Sequence, residues 1–157
     1  MIKTLKQRRR ERRTDYGKRL KLLKSEKPRI VFRKTNRYII AQYVTSKNAL
    51  DKIELGTNSK QLLKYGWPKE FSGSLKSIPA SYLTGFLIGK KILKEKKETP
   101  ILDIGMIRNL HKSKVFGFLK GLKESGVEIK CDEEFFPEIN SDKIKVEGIK
   151  LKIDKEN

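Results

Sequence analysis

Apolar positions in this chain fall first into short alternating runs and later into helical stripes. "RIVFRKTNRYIIAQYV" contains two runs rich in β-branched and aromatic residues, separated by the polar Thr35-Asn36-Arg37, which predicts a β-hairpin. In the first arm Ile30 and Phe32 alternate with charged or exposed positions, whereas Tyr38 to Val44 is nearly continuous and suits a central strand. After a loop at Ser46 to Asn48, "DKIELGTNS" reads as a third strand ending at Gly56, and Asn58 or Ser59 caps a short helix through "SKQLLKYG". "YGWPKEFSGSLKS" carries the Gly, Pro and Ser content of a loop.

The period then becomes helical. From about Pro79 to Lys97, Leu83, Phe86, Leu87 and Leu93 form a stripe; proline is tolerated in the first turn, and Pro100 stops the element. "ILDIG" follows as a short buried strand. "SKVFGFLKGLKESG" is a helix with Ser113 as N-cap, Val115, Phe116, Leu119 and Leu122 inward, and Gly126 at its C-terminal stop. "VEI" predicts a further strand, and "KVEGIKLKID" alternates like a strand without an evident neighbour. Strands that come first as a meander and then alternate with helices predict an α/β fold. The expected architecture is a mixed sheet, an N-terminal antiparallel meander plus βα units, covered by helices. An extended basic arm precedes it. The implied organisation is a basic extension over 1–27, an α/β domain over 28–130 and a C-terminal extension over 131–157.

Charge changes this picture more than composition does. Apolar and charged residues each make up 36% of the 157 positions, but Lys and Arg number 38 against 19 Asp and Glu, for a net charge of +19. Up to Arg29, thirteen cations face only Glu11, Asp15 and Glu26. Such a block repels itself until counter-charge arrives, so nucleic acid, an anionic membrane surface or an acidic protein is the partner class to consider. Leu20, Leu22 and Leu23 predict that only the last turns of this block touch the folded body. Cys131 stands alone, which removes a disulfide framework and a cysteine metal cluster and points to a reducing compartment. No apolar stretch resembles a secretory signal or a spanning helix, so the expectation is a soluble intracellular protein.

Three motifs are candidates for chemistry. In "TGFLIGKK", Gly85, Gly89 and Lys90 imitate part of a phosphate-binding loop, but the spacing is one residue short and Lys91 stands where Ser or Thr would ligate magnesium. Close approach of that helix to the sheet explains the glycines better. Asp51, Glu54 and Asp103 lie on or beside predicted strands and would have to converge for a small metal-dependent RNA nuclease, the alternative function. For Asp103, acceptance of backbone N–H groups at a strand end is the favoured role. His111, the sole histidine, is better placed beside phosphate than in catalysis. No enzyme activity and no cofactor or metal are expected, and a polybasic membrane-surface role lacks an amphipathic insertion face.

The basic residues carry the stronger signal, because lysine and arginine neutralise backbone phosphates while aromatic rings offer faces to unpaired bases. Lys3, Lys6, Arg8, Arg9, Arg10, Arg12, Arg13, Lys18 and Arg19 form the first cluster. Arg33, Lys34 and Arg37 around Asn36 form a second on a hairpin tip. Lys112 and Lys114, with His111 and Ser113, form a third before a helix N-terminus. Tyr16, Tyr38, Tyr65 and Trp67 are the candidate stacking faces. Three sites suit a large folded RNA better than a short strand.

"RRRERRTDYGKRLKLLKSEKPRIVFRKTNRYIIAQYV", "KYGW", "PASYLTGFLIGKK", "LDIG" and "SKVFGFLKGLKESGVEI", in this order over roughly residues 8 to 140, resemble the archaeal branch of the large-subunit ribosomal protein eighteen family. That resemblance implies a non-catalytic ribosomal component in the cytoplasm, holding 5S rRNA and helping anchor it to the large-subunit rRNA in the central protuberance, beside neighbouring ribosomal proteins. It further implies that Arg8 to Arg19, the hairpin at Arg33 to Tyr38 and the loop before Val115 face RNA. The chain reads "HKSKV" where the family usually has a glycine and an arginine, and Lys130-Cys131 where it usually has Pro-His.

Overall fold

A computed structural model of the chain describes residues 6–11, 14–108, 110–139 and 146–156. Its sheet has four strands in the order β3-β2-β1-β4: β1 is Arg29–Lys34, β2 Ile39–Lys47, β3 Leu50–Asn58 and β4 Ile101–Asp103. β1 pairs antiparallel with β2 from Arg29↔Val44 to Lys34↔Ile39, and parallel with β4 from Arg29↔Ile101 to Val31↔Asp103. The expected mixed sheet is therefore present, a meander extended by one parallel strand after a helical crossover.

The β1–β2 turn closes on Thr35, whose backbone N–H and hydroxyl both donate to the Tyr38 carbonyl at 2.9 Å. Asn36 and Arg37 are left at the tip. The segment expected as a loop at Ser46 to Asn48 is instead strand up to Lys47. Asn48 and Ala49 make a two-residue turn with φ of 51° and 61°. Positive φ at both central positions matches the right-handed strand twist, which is why so short a connection suffices. The third strand consequently runs two residues past Gly56. Its register with β2 slips between Tyr43 and Val44, leaving Glu54 without a cross-strand partner.

Helices α1 (Gln7–Arg10) and α2 (Tyr16–Lys24) precede the sheet. The Asp15 carboxylate caps α2 by accepting from the N–H groups of Gly17 and Lys18 at 3.0 and 3.2 Å. Neither helix has a buried residue, so the two contribute little to the core.

Helix α3 (Ile78–Lys94) starts at Ser77 and ends three residues earlier than the periodicity predicts, because Lys96 turns left-handed at φ 49°. Every residue from Ala80 to Gly89 is buried, whereas Leu93, expected on the inward stripe, is 45% exposed. Helix α4 (Lys114–Ser125) runs in the same direction beside it: Ser81 bonds the Lys114 carbonyl, Gly85 meets Phe118 and Gly89 meets Ser125. The glycines of α3 thus bring it close to α4, where approach to the sheet was expected. At the end of α4, Gly126 is left-handed at φ 105°, and the N–H groups of Gly126 and Val127 close on Lys123 and Leu122. That closure uses the Val127 N–H, and "VEI" forms no strand.

Two apolar clusters share α3. One fills the space between the sheet and α4 around Phe32, Ile39, Phe118 and Leu122. The other lies on the opposite side of α3, with Leu62, Trp67, Leu75, Leu83 and Leu87. The second cluster is closed by α5 (Val146–Glu156), which corrects the strand reading of "KVEGIKLKID". Val146, Ile149 and Ile153 recur at helical spacing and pack there, and Leu151, which alternation would have placed inward with Ile149 and Ile153, is exposed. "SKQLLKYG" is a 3-10 turn over Ser59–Leu63, with Asn58 accepting from the Lys60 N–H. The segment expected to be loop contains a second 3-10 turn over Lys69–Ser74.

Candidate nucleic-acid interface

The arm carries its cations outward. Lys6, Arg8, Arg9 and Arg10 are exposed; Arg8 reaches the Thr14 hydroxyl at 3.1 Å, and the Lys6 ammonium sits 4.8 Å from the centre of the half-buried Tyr16 ring. Lys3, Arg12 and Arg13 lie outside the described residues. Farther along, the arm is tied down. Lys18 donates to the Gly105 carbonyl at 3.4 Å, and Arg19 pairs with Asp51 at 2.9 Å. These two contacts aim α2 across the sheet surface, so Lys18 and Arg19 orient the arm while the side chains of Lys6, Arg9 and Arg10 stay exposed.

On the hairpin, Lys34, Asn36 and Arg37 are exposed, but Arg33 is not a free cation. Its guanidinium donates to the carbonyls of Phe32 and Asp103 at 2.8 Å and approaches the Asp103 carboxylate at 3.3 Å, clamping β1 to β4. Trp67 also departs from expectation. It is 2% exposed, with its indole N–H donating to the Phe71 carbonyl at 3.0 Å, so its ring is core and presents no face to a base. Tyr38 and Tyr65 are half-buried against the same cluster.

Before α4, the exposed His111 ring stacks on Phe116 with centroids 6.1 Å apart and lies 4.1 Å from Phe135. Lys112 is left-handed at φ 53°, its N–H held by the Phe135 carbonyl at 3.0 Å. Ser113 occupies the N-cap position, yet its hydroxyl makes no capping bond and is buried without any partner. Because α3 and α4 are parallel, both N-termini point to the same end of the molecule, where partial positive charge gathers. Burial, followed by repulsion from Lys34 and Lys76, holds the Lys114 ammonium below its ordinary range. Lys76 was missed in the sequence. Only the packing of two helices whose N-termini lie far apart in the chain brings it to Lys114. Among the described residues no carboxylate pairs with Lys34, Arg37, Lys76 or Lys114.

The carboxylates considered for metal chemistry are separately engaged. Asp51 accepts from Arg29 at 2.7 Å, from Arg19 and from Ser46. Burial raises its pKa, but Ser46, Arg29 and Arg19 together outweigh that and hold it below the ordinary carboxylate range. Glu54 pairs with Lys97 at 2.8 Å and with Thr45, which lower its pKa in turn. Asp103 receives Arg33, lies 3.6 Å from Arg29 and accepts the Gly105 N–H at 2.8 Å, the strand-end role expected for it. Among the described residues no group of three potential ligands is placed to hold a metal ion.

Residues 2–100 match the family model described as ribosomal large subunit proteins 60S L5 and 50S L18. A large ribosomal subunit protein uL18 from Korarchaeum cryptofilum is 44% identical over 142 residues, covering 90% of this chain and 70% of its own. The uL18 proteins of Methanospirillum hungatei and Methanoregula boonei are 45% and 43% identical over 130 and 142 residues, covering 83% and 90% of this chain and 72% and 78% of theirs.

Proposed function

The chain belongs to the family of ribosomal large-subunit proteins 60S L5 and 50S L18, and from that premise we propose that it binds 5S rRNA and helps anchor it to the large-subunit rRNA in the central protuberance. The role is structural, within the cytoplasmic ribosome. Residues 1–27 act as the basic RNA-binding extension and the α/β body sets its register. The observation that carries this reading is the set of cations without carboxylate partners among the described residues: the exposed Lys6, Arg9 and Arg10 on the arm, and on the body the exposed Lys34, Arg37 and Lys76 with the half-buried Lys114. Unneutralised charge on this scale favours a polyanion, since each phosphate contact releases condensed counterions. Phosphate contacts position the protein, and the folded surface then recognises shape.

Removing residues 1–14 keeps the Asp15 cap, the Arg19–Asp51 pair and the whole body. The intact chain is expected to bind a 5S rRNA transcript with an affinity that falls by about 10³ to 10⁵ between 50 and 200 mM salt if six to ten phosphates are neutralised, with a shallower fall for RNA than for duplex DNA. The truncated chain is expected to lose tight binding and keep its thermal melt. Equal affinity for 5S rRNA and an unrelated transfer RNA, or undiminished binding after truncation, overturns the reading.

A further inference from the structure

A cavity of about 480 Å³ opens beside the N-terminus of α4. Its wall is apolar, formed by Phe32, Ile78, Ile107, Leu110 and Val115, and its rim carries Lys34, Arg108 and Lys114. The volume lies in the range of small-ligand sites. Leu110 forms an exposed lip at 61%, with Met106 nearby in sequence at 49%. Two kinds of surface therefore meet in one place: an apolar wall whose open part is Ile78, Ile107 and Leu110, with Phe32 and Val115 buried behind it, and cations that no described carboxylate neutralises. A wholly apolar occupant would leave the rim charges uncompensated, and a simple anion would leave the wall wet. A nucleotide satisfies both, because a base offers a flat weakly solvated face beside an anionic phosphate. Ser113 also lines the cavity, its hydroxyl buried without a partner.

We propose that this cavity seats one unstacked nucleotide of ribosomal RNA, its base against Ile78, Ile107 and Leu110 and its phosphate between Lys34 and Lys114. The inference rests on the ribosomal reading above and deepens it from charge capture to recognition of a single base. An unpaired loop or bulge nucleotide suits the site best, since extruding it breaks no base pair.

The test uses the full chain with 5S rRNA and with large-subunit rRNA as separate probes. Base reactivity toward dimethyl sulfate and carbodiimide is compared with backbone reactivity toward hydroxyl radical. The wild type is expected to shield the pairing edge of one nucleotide that is reactive in free RNA. Leu110→Asp should abolish that shielding and lower affinity by about tenfold or more while backbone protection by the arm persists. Leu110→Ser, which adds no charge, should weaken the shielding in the same sense. Leu110 is largely solvated, so neither variant is expected to move the thermal melt. Identical base protection in wild type and both variants overturns the proposal. So does unchanged RNA binding combined with poor incorporation into reconstituted subunits, which would assign the cavity to a protein neighbour. A wild-type chain that binds neither RNA overturns the ribosomal reading and this one together.

Discussion

Gly121 on α4 lies so close to Tyr82 on α3 that a methyl group on Gly121 would collide with the Tyr82 carbonyl and press on the Phe86 N–H. The opposing atoms are backbone and cannot rotate away, so this pair sets how closely the helices approach. Gly121→Ala is expected to destabilise the fold by about 2 kcal/mol net, overpacking outweighing the roughly 1 kcal/mol gain in helix propensity, and to lower Tm by about 4–8 °C. Gly56→Ala, where nothing lies within 4 Å, should leave Tm nearly unchanged. A thermal melt of the two variants checks both.

Arg29 is 3% exposed and reaches Asp51 across the sheet at 2.7 Å, with Asp103 at 3.6 Å on the other side. Asp51→Ala withdraws the nearer partner and is expected to cost about 1–3 kcal/mol, less than for a fully buried pair because Asp51 is partly solvated. The folded state depresses the Asp51 pKa. Its contribution is therefore complete above the unfolded carboxyl value of about 3.9 and is lost as pH falls through the folded value. Urea midpoints measured from pH 7 down to pH 3 should show a shallower acid loss in Asp51→Asn than in wild type.

Two arginines of the hairpin are expected to separate stability from binding. Arg33→Ala removes the clamp on the Asp103 carbonyl and should lower stability by about 1–2 kcal/mol. Arg37→Ala, at the exposed tip, should leave the melt alone and reduce the salt slope of 5S rRNA binding by about 0.7–1. Salt titration beside calorimetry distinguishes them, and a reversed pattern would refute the assignment.

Ile153 is fully buried where α5 covers α3, and Lys150 pairs with Glu124 at 2.6 Å beside the Tyr82 hydroxyl. Ile153→Ala is expected to cost about 2–5 kcal/mol through the cavity it leaves. If α5 opens as a local unit, limited proteolysis will release the C-terminal segment from this variant sooner than from wild type while the sheet stays protected. Burial, then the bond to Glu124, pushes the Tyr82 phenol up to about 12, so it stays neutral, and the tyrosinate absorbance gained between pH 8 and pH 10 should be the same in Tyr82→Phe as in wild type.

Local pattern settled a good part of this molecule. The hairpin over Arg29–Val44, the long helix behind Pro79, the strand-end role of Asp103 and the left-handed stop at Gly126 were all readable, because each depends on neighbours within a few residues: a polar turn, an apolar period, a short carboxylate, a residue without Cβ. The concentration of positive charge before Arg29, and the family resemblance with it, was equally open to reading. Tertiary packing decided the rest. Ile149, Leu151 and Ile153 satisfy a period of two while Val146, Ile149 and Ile153 satisfy a helical one, and only the apolar face of α3 selects the helix that buries Ile149 and Ile153. Trp67 looks like a base-stacking ring until the second cluster encloses it. Lys34, Lys76 and Lys114 are remote in sequence, and they form one cationic site only because Gly85, Gly89 and Gly121 let two parallel helices meet with their positive ends together.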